Sequence, residues 1–423
     1  MSSAAIADPD TYVSGVPYEL LARLRRETPV TRVGDFWAVL RHADVRHVLR
    51  NPQTFSSQLG GTQIRDPATA EDLRYVRRMM LNMDAPDHGR LRGLLTKAFT
   101  PRAIGRLTER IEGWAHGLVA AVADRGECDF AKDVAADLPL LTLAEVFGVP
   151  ERDRRLMFDW SNRVIGYQDA EYAVSATARP EEVTDLARAA LAVRPSPGPD
   201  GAMPDPRTRA GMPDLYAYAN ALGEHKRAHP GDDVMSNLMR HVDDEGGRVS
   251  IEEFENLFWL FSVAGNETLR NGLPGGMFAL LSNPEQYRAL REDRSLLPNA
   301  VEEMLRWWTP VMNFRRTAVA DTRLSDVDIK AGDKVVVWFA AANRDETVFP
   351  EPDAFDVTRA PGDHLTFGHG PHFCLGAQLA RVQMRALFTA VLDRLGEVRL
   401  AADPVRLRSN FQNGLKSLPI RWD

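Results

Sequence analysis

Phe367-Gly368-His369-Gly370-Pro371-His372-Phe373-Cys374-Leu375-Gly376 is the stretch on which the reading of this chain turns. Two glycines and a proline precede the cysteine, a composition that closes a tight turn and exposes backbone N–H groups. Helical patterning begins directly afterwards, at Ala377. A thiolate at Cys374 is therefore favoured by those donors and by the positive end of the following helix. A lone cysteine is usually a small buried hydrophobe, but core cysteines rarely sit in a glycine and proline loop flanked by histidines.

Outward from the loop, the chain is ordinary globular material: 423 residues, 44% hydrophobic and 26% charged. Its second cysteine, Cys128, lies in a turn-like Gly126-Glu127-Cys128-Asp129 and takes no role. Two cysteines are too few for a disulfide framework and fit a reducing compartment. With 52 basic against 59 acidic residues, the net charge of −7 excludes a whole-protein basic field for nucleic acid. Asp8 and Asp10 stand where a secretory signal would be basic then apolar. The longest apolar stretch, between Glu255 and Glu267, falls short of the roughly 18 residues of a membrane span. No membrane anchor and a cytoplasmic location are expected.

Beta-rich pieces flank Gly34-Asp35 between Pro29 and Leu40, the signature of a hairpin. From Pro86 to about residue 300, apolar positions recur at helical spacing, as in Ile104 to Ala123 and Asp214 to Ala228. The spacing predicts a mainly α fold with small β-sheets (α+β), its β-rich parts near 29–40, 319–340 and 398–423. Pro195 to Pro213 carries six prolines and three glycines, so no helix is expected there; it reads as a flexible surface loop or a lid, 195–213.

The Phe-x-x-Gly-x-His-x-Cys-x-Gly pattern of 367–376 resembles the heme-binding loop of the cytochrome P450 monooxygenases. The resemblance covers essentially the whole of 1–423 as one domain, with a long central helix over the heme. It implies heme b (iron protoporphyrin IX) as cofactor and Cys374 as the axial thiolate that pushes electron density onto the iron. Phe367 would pack beside the sulfur, and Gly368, Gly370 and Gly376 would let the backbone approach the heme. Val263-Ala264-Gly265-Asn266-Glu267-Thr268 looks like the family's oxygen-activation motif, with Ala264 and Gly265 on the heme face and Glu267 and Thr268 as the catalytic pair. Pro274, which lacks an N–H, is expected to kink or divide that helix. His88 and Arg92, one turn apart, together with Arg316 and His372, match the family's partners for the heme propionates; Arg315 is an alternative to Arg316. Glu303 and Arg306 form the family's Glu-x-x-Arg pair, buried and structural. Ala354 stands where the third partner is often found, and Arg359 is a substitute candidate.

What the resemblance implies for function is a monooxygenase that inserts one atom of O2 into a lipophilic small molecule. A sterol side chain, branched lipid, terpenoid or polyketide suits the segments expected to line the pocket, with Val263, Val311, Phe314 and Gln412 as substrate contacts. Electrons would come from a ferredoxin and an NAD(P)H-dependent ferredoxin reductase. Arg90, Lys97, Arg102 and Arg106 follow one another around the helix expected to flank the thiolate side and would steer an acidic ferredoxin. A monomer is expected. Two other classes compete: a heme-thiolate sensor or binding protein without turnover, which has no need of Glu267 and Thr268, and a cysteine hydrolase, which leaves the other motifs unexplained.

Overall fold

The computed structural model describes residues 2–199, 201–242 and 248–423. The chain forms two compact units, one from Met1–Ile64, Ile104–Leu138 and Thr268–Asp423, the other from Arg65–Ala103 and Pro139–Glu267.

The first unit is built on a five-stranded sheet whose order is Val30–Val33, Phe36–Val39, Lys334–Trp338, Asn313–Ala318, Phe55–Ser56. Gly34, at φ +56°, closes the first two strands into the expected hairpin, with Val33 opposite Phe36. Phe36–Val39 then pairs in parallel with Lys334–Trp338, and that strand in antiparallel with Asn313–Ala318. Lys334–Trp338 is apolar on both faces because both are covered. Val336 and Trp338 join a core with Ile6, Tyr12 and Leu21, whereas Val335 and Val337 join one with Val45, Val48 and Leu365. Three smaller sheets complete the unit. They pair Thr322–Leu324 with Val327–Ile329, Val405–Arg406 with Leu415–Ser417, and Pro419–Arg421 with both Glu127–Asp129 and Arg399–Leu400. The β structure thus reaches beyond the regions expected at 319–340 and 398–423. Asn313–Ala318, Phe55–Ser56 and Glu127–Asp129 also contribute, each too short or too polar to show a clear alternation.

The second unit is helical. Trp160 of helix Arg154–Ile165, Tyr218 of helix Pro213–Ala228 and Phe258 of helix Ile251–Ala264 form an aromatic core with centroids 5.4–5.9 Å apart. Among the described residues from Pro195 to Met212 no helix forms, and Asp200 of the expected loop lies outside them; Pro213 instead opens the next helix, at a position where its missing N–H costs nothing. Arg207 holds Asp205 at 2.7 Å and donates to the Arg65 carbonyl, and Arg209 forms a two-pronged ion pair with the buried Glu255.

The motif helix is interrupted, but not at the proline. Ile251–Ala264 and Glu267–Ser282 are separate helices divided at Gly265 and Asn266, while Pro274 lies inside the second one. Tertiary packing overrides the local penalty there. Gly275 and Gly276 follow the proline, and a Cβ on either would strike Trp308 or Met304, at 2.3 and 2.9 Å, so helix Leu297–Trp308 packs directly against that turn. At Gly265 the Leu143 side chain approaches where a Cβ would lie, at 2.7 Å.

Candidate active site

The loop 367–376 folds back on itself. Cys374 N–H donates to the Phe367 carbonyl at 2.9 Å, Gly368 N–H to Leu365, and Phe373 N–H to Gly370. Gly368 and Gly370 take φ values of +70° and +71°, which L side chains rarely adopt. At Gly370 a second constraint applies, since a Cβ would sit 2.4 Å from the Leu49 carbonyl oxygen. The turn delivers Cys374 exposed, two residues ahead of Gly376, the N-cap of helix Ala377–Arg394.

Phe367 is held from behind by a network that the sequence reading did not find. The Arg381 guanidinium lies 4.5 Å from the Phe367 ring centroid and grips Glu302 at 2.6 and 2.8 Å, and His364 meets Glu302 at 3.1 Å. Burial would raise the Glu302 carboxyl, but its bonds to Arg381 and His364 outweigh it and hold it at about 2. A signal was present: Glu302 and Glu303 are neighbours on one helix and therefore face different ways. Glu303 turns to Arg306, Nε and Nη2 both at 2.7 Å, and to Arg359 Nε at 3.2 Å. Both members of the Glu-x-x-Arg pair are buried at 2% exposure, and Arg306 also donates to the carbonyls of Asn343, Pro352 and Ala354.

Arg315 and Arg316 point to opposite faces of their strand, and both are buried. Arg315 packs where Gly60 has no side chain and donates to Thr317, leaving Arg316 on the other face. Ser56 pairs with Thr317, and Ser57 follows directly where that strand ends. The Ser57 hydroxyl lies 3.3 Å from His372 Nε2, so His372 meets the chain just past the end of that strand. Ser57 was not expected; it is a buried hydroxyl just past a two-residue strand, with no motif around it. Val311 and Gln412 are joined by an isolated antiparallel bridge, and Phe314 meets Phe411 edge-on at 5.6 Å. Three of the four substrate candidates thus fall in one neighbourhood.

In the second unit, His88 is buried and Arg92 partly buried, on one face of helix Asp87–Thr96. Arg90 of the same helix is committed to Glu253, with Asp87 at 3.5 Å. The expected run of Arg90, Lys97, Arg102 and Arg106 around one helix therefore needs correction. Lys97 lies in a short turn and the last two on the next helix, Pro101–Ala123. Phe254–Val263 is a continuous buried run that ends at two exposed small residues, Ala264 and Gly265. Asn266 and Glu267 are again fully buried, Glu267 with a carboxylate oxygen 3.3 Å from the Ser161 hydroxyl. Thr268, the next residue, is partly buried.

These residues fit a heme. Among the described residues no three His, Cys, Asp or Glu side chains gather as a metal site, so an ion bound at Cys374 must bring its other ligands with it, as a porphyrin does. Within the first unit, the exposed thiol, the glycine-lined turn and the basic Arg316 and His372 match such a group and its carboxylates.

Comparison with known proteins agrees. A steroid C26-monooxygenase of Rhodococcus jostii (strain RHA1) is 36% identical over 98% of this chain and 84% of its own length. The chain belongs to the cytochrome P450 family. Residues 222–400 match the family model described as Cytochrome P450. Linalool 8-monooxygenase of Pseudomonas putida is 34% identical over 99% of both chains. A Mycobacterium marinum cytochrome P450 solved in complex with pseudoionone superposes with a TM-score of 0.84 at 33% identity, covering 100% of this chain and 98% of the other. Members of the family bind heme, and P450 monooxygenases act with O2 on lipophilic substrates. Among the described residues no helix is long and apolar enough to cross a membrane.

Proposed function

We propose that this P450 hydroxylates a branched lipophilic molecule of the terpenoid or steroid side-chain type, taking electrons from a ferredoxin and its NAD(P)H-dependent reductase, as a monomer in the cytoplasm. The observation that carries the monooxygenase reading is the exposed Cys374, presented by its folded-back loop and backed by the held Phe367 ring. The substrate class rests on relatives named for steroid C26 and linalool 8 oxidation and on the neighbour solved with pseudoionone.

A heme held at Cys374, with Arg316 and His372 of the same unit to meet its carboxylates, would supply the oxidising chemistry by which one atom of O2 enters a C–H bond. The protein's own part is to position and protect. Val263 and the buried run before it keep bulk water from the motif. Thr268 Oγ1 both donates and accepts, and the Glu267 carboxyl stands one residue away, a pair suited to passing a proton. Val311 and Phe314 offer apolar contact and Gln412 one amide, enough to orient a largely apolar molecule.

Spectral titration of the heme-loaded protein with steroids, acyclic terpenoids and fatty acids tests the substrate class, followed by product analysis with a ferredoxin system. Binding and hydroxylation of a terpenoid or steroid side chain are expected. A reduced carbon-monoxide complex lacking the thiolate-type absorbance, or a band retained in Cys374→Ser, overturns the monooxygenase reading. NAD(P)H left unconsumed with every bound ligand would favour a sensor.

A further inference from the structure

Ser161 lies in helix Arg154–Ile165, fully buried, in the polar run Asp159, Ser161, Asn162, Arg163 of an otherwise apolar segment. Its Oγ accepts from Asn266 Nδ2 at 2.8 Å. Its single hydrogen has two destinations, Glu267 Oε2 at 3.3 Å and the Phe158 carbonyl at 3.2 Å. Asn266 and Glu267 are both fully buried, and Asn266 Oδ1 has no partner among the described residues, so the bond to Ser161 is the one that fixes the amide.

We infer that Ser161 is a positioning residue for proton delivery, because its hydroxyl satisfies the Glu267 carboxyl in both protonation states with no movement of heavy atoms. The inference rests on the monooxygenase reading and adds to it a residue outside the motif. A buried carboxylate needs a donor and a buried carboxylic acid needs an acceptor. A hydroxyl has one hydrogen and two lone pairs. With Glu267 ionised, Ser161 O–H donates to Oε2. When a proton arrives on Oε2, that new O–H donates to Ser161 Oγ, whose own hydrogen turns to the Phe158 carbonyl; the Asn266 bond is kept throughout. The exchange conserves every proton and costs one hydroxyl rotation.

The test uses heme-loaded Ser161→Ala, Ser161→Cys and Ser161→Thr, and Ser161→Ala combined with Glu267→Gln. In the resting protein in acidic buffer, the infrared band of protonated Glu267 is the one that Glu267→Gln abolishes. It should move to higher frequency in the Ala and Cys variants and stay in place in the Thr variant. In turnover Ser161→Ala should be roughly ten-fold slower, the effect of one hydrogen bond to a charged group, and should cost nothing further when Glu267→Gln is already present. An unmoved band, no such band down to the lowest pH at which the protein stays folded, or an equal loss in the Glu267→Gln background overturns the inference. If Ser161→Ala does not fold, the near-isosteric Cys variant decides by the same band. A thiolate-type carbon-monoxide spectrum in these proteins shows that the monooxygenase reading stands whatever becomes of Ser161.

Discussion

Arg306 clasps Glu303 side-on, with two hydrogen bonds of 2.7 Å between side chains that are each 2% exposed. Arg359 binds the same carboxylate from a separate segment, and the Asp356 N–H adds a fourth bond. Glu303→Ala would strand two guanidinium groups, one fully buried, at a cost of about 3–5 kcal/mol. Poor heme incorporation and a lower urea midpoint are expected; a normal midpoint with full heme occupancy would contradict the role.

Gly370 combines a left-handed backbone with a Leu49 carbonyl that occupies the space a Cβ would need. Gly370→Ala should destabilise the protein by about 1–3 kcal/mol and displace the cysteine turn, read as a fraction of non-thiolate spectrum in the carbon-monoxide complex. An unchanged spectrum and melting temperature would count against the contact with Leu49.

Acid should act in two stages. Burial first, and then the Arg46 charge, lower the His42 ring to about 4, so this ring stays neutral in the fold while the unfolded chain takes up a proton. Stability from this source is complete above about pH 6.5 and is lost as pH falls toward 4. Glu302, held at about 2, contributes stability that is complete above the ordinary carboxylate range and is lost between about pH 4.5 and 2. Urea midpoints against pH should show both limbs, with His42→Asn removing the first and Glu302→Gln the second. A His42→Asn curve as steep as wild type above pH 4 would exclude this histidine.

Thr268→Ala should still bind heme, substrate and O2 but release hydrogen peroxide in place of product, while Glu267→Gln should slow turnover by roughly 10²-fold or more. Product formed per NAD(P)H consumed decides between them. Undiminished coupling in Thr268→Ala would assign the proton to water or substrate.

Because Arg90 is neutralised by Glu253, its replacement by Ala should leave the salt dependence of electron transfer from ferredoxin unchanged. Reversal of the charge at Arg102 should flatten it. The opposite pattern would move the docking surface to the Arg90 helix.

The Cys374 loop and the Glu303–Arg306 pair were legible because each is a local pattern whose chemistry requires those residues at that spacing. The hairpin at Gly34 was legible for the same reason. What escaped was set by partners distant in sequence. Nothing near Ser161 announces that it will meet Glu267, and Arg381 reads as an ordinary helical base until Phe367 and Glu302 are placed beside it. Pro274 misled because the penalty it carries is local, while the glycines that admit Trp308 and Met304 answer it through packing.

The parallel pairing of Phe36–Val39 with Lys334–Trp338 also bears on how the chain is made. Trp37 donates to Asp333 across 296 positions of sequence. At ribosomal speeds of about 5–20 residues per second, the N-terminal hairpin emerges on the order of 15–60 s before its neighbouring strand exists. During that interval one edge of the hairpin is open and its apolar faces are uncovered, a template for wrong pairing. Slower elongation or excess expression should therefore trap this protein as aggregates during synthesis, and holdase chaperones that cover residues 30–39 should raise the yield more than added heme does.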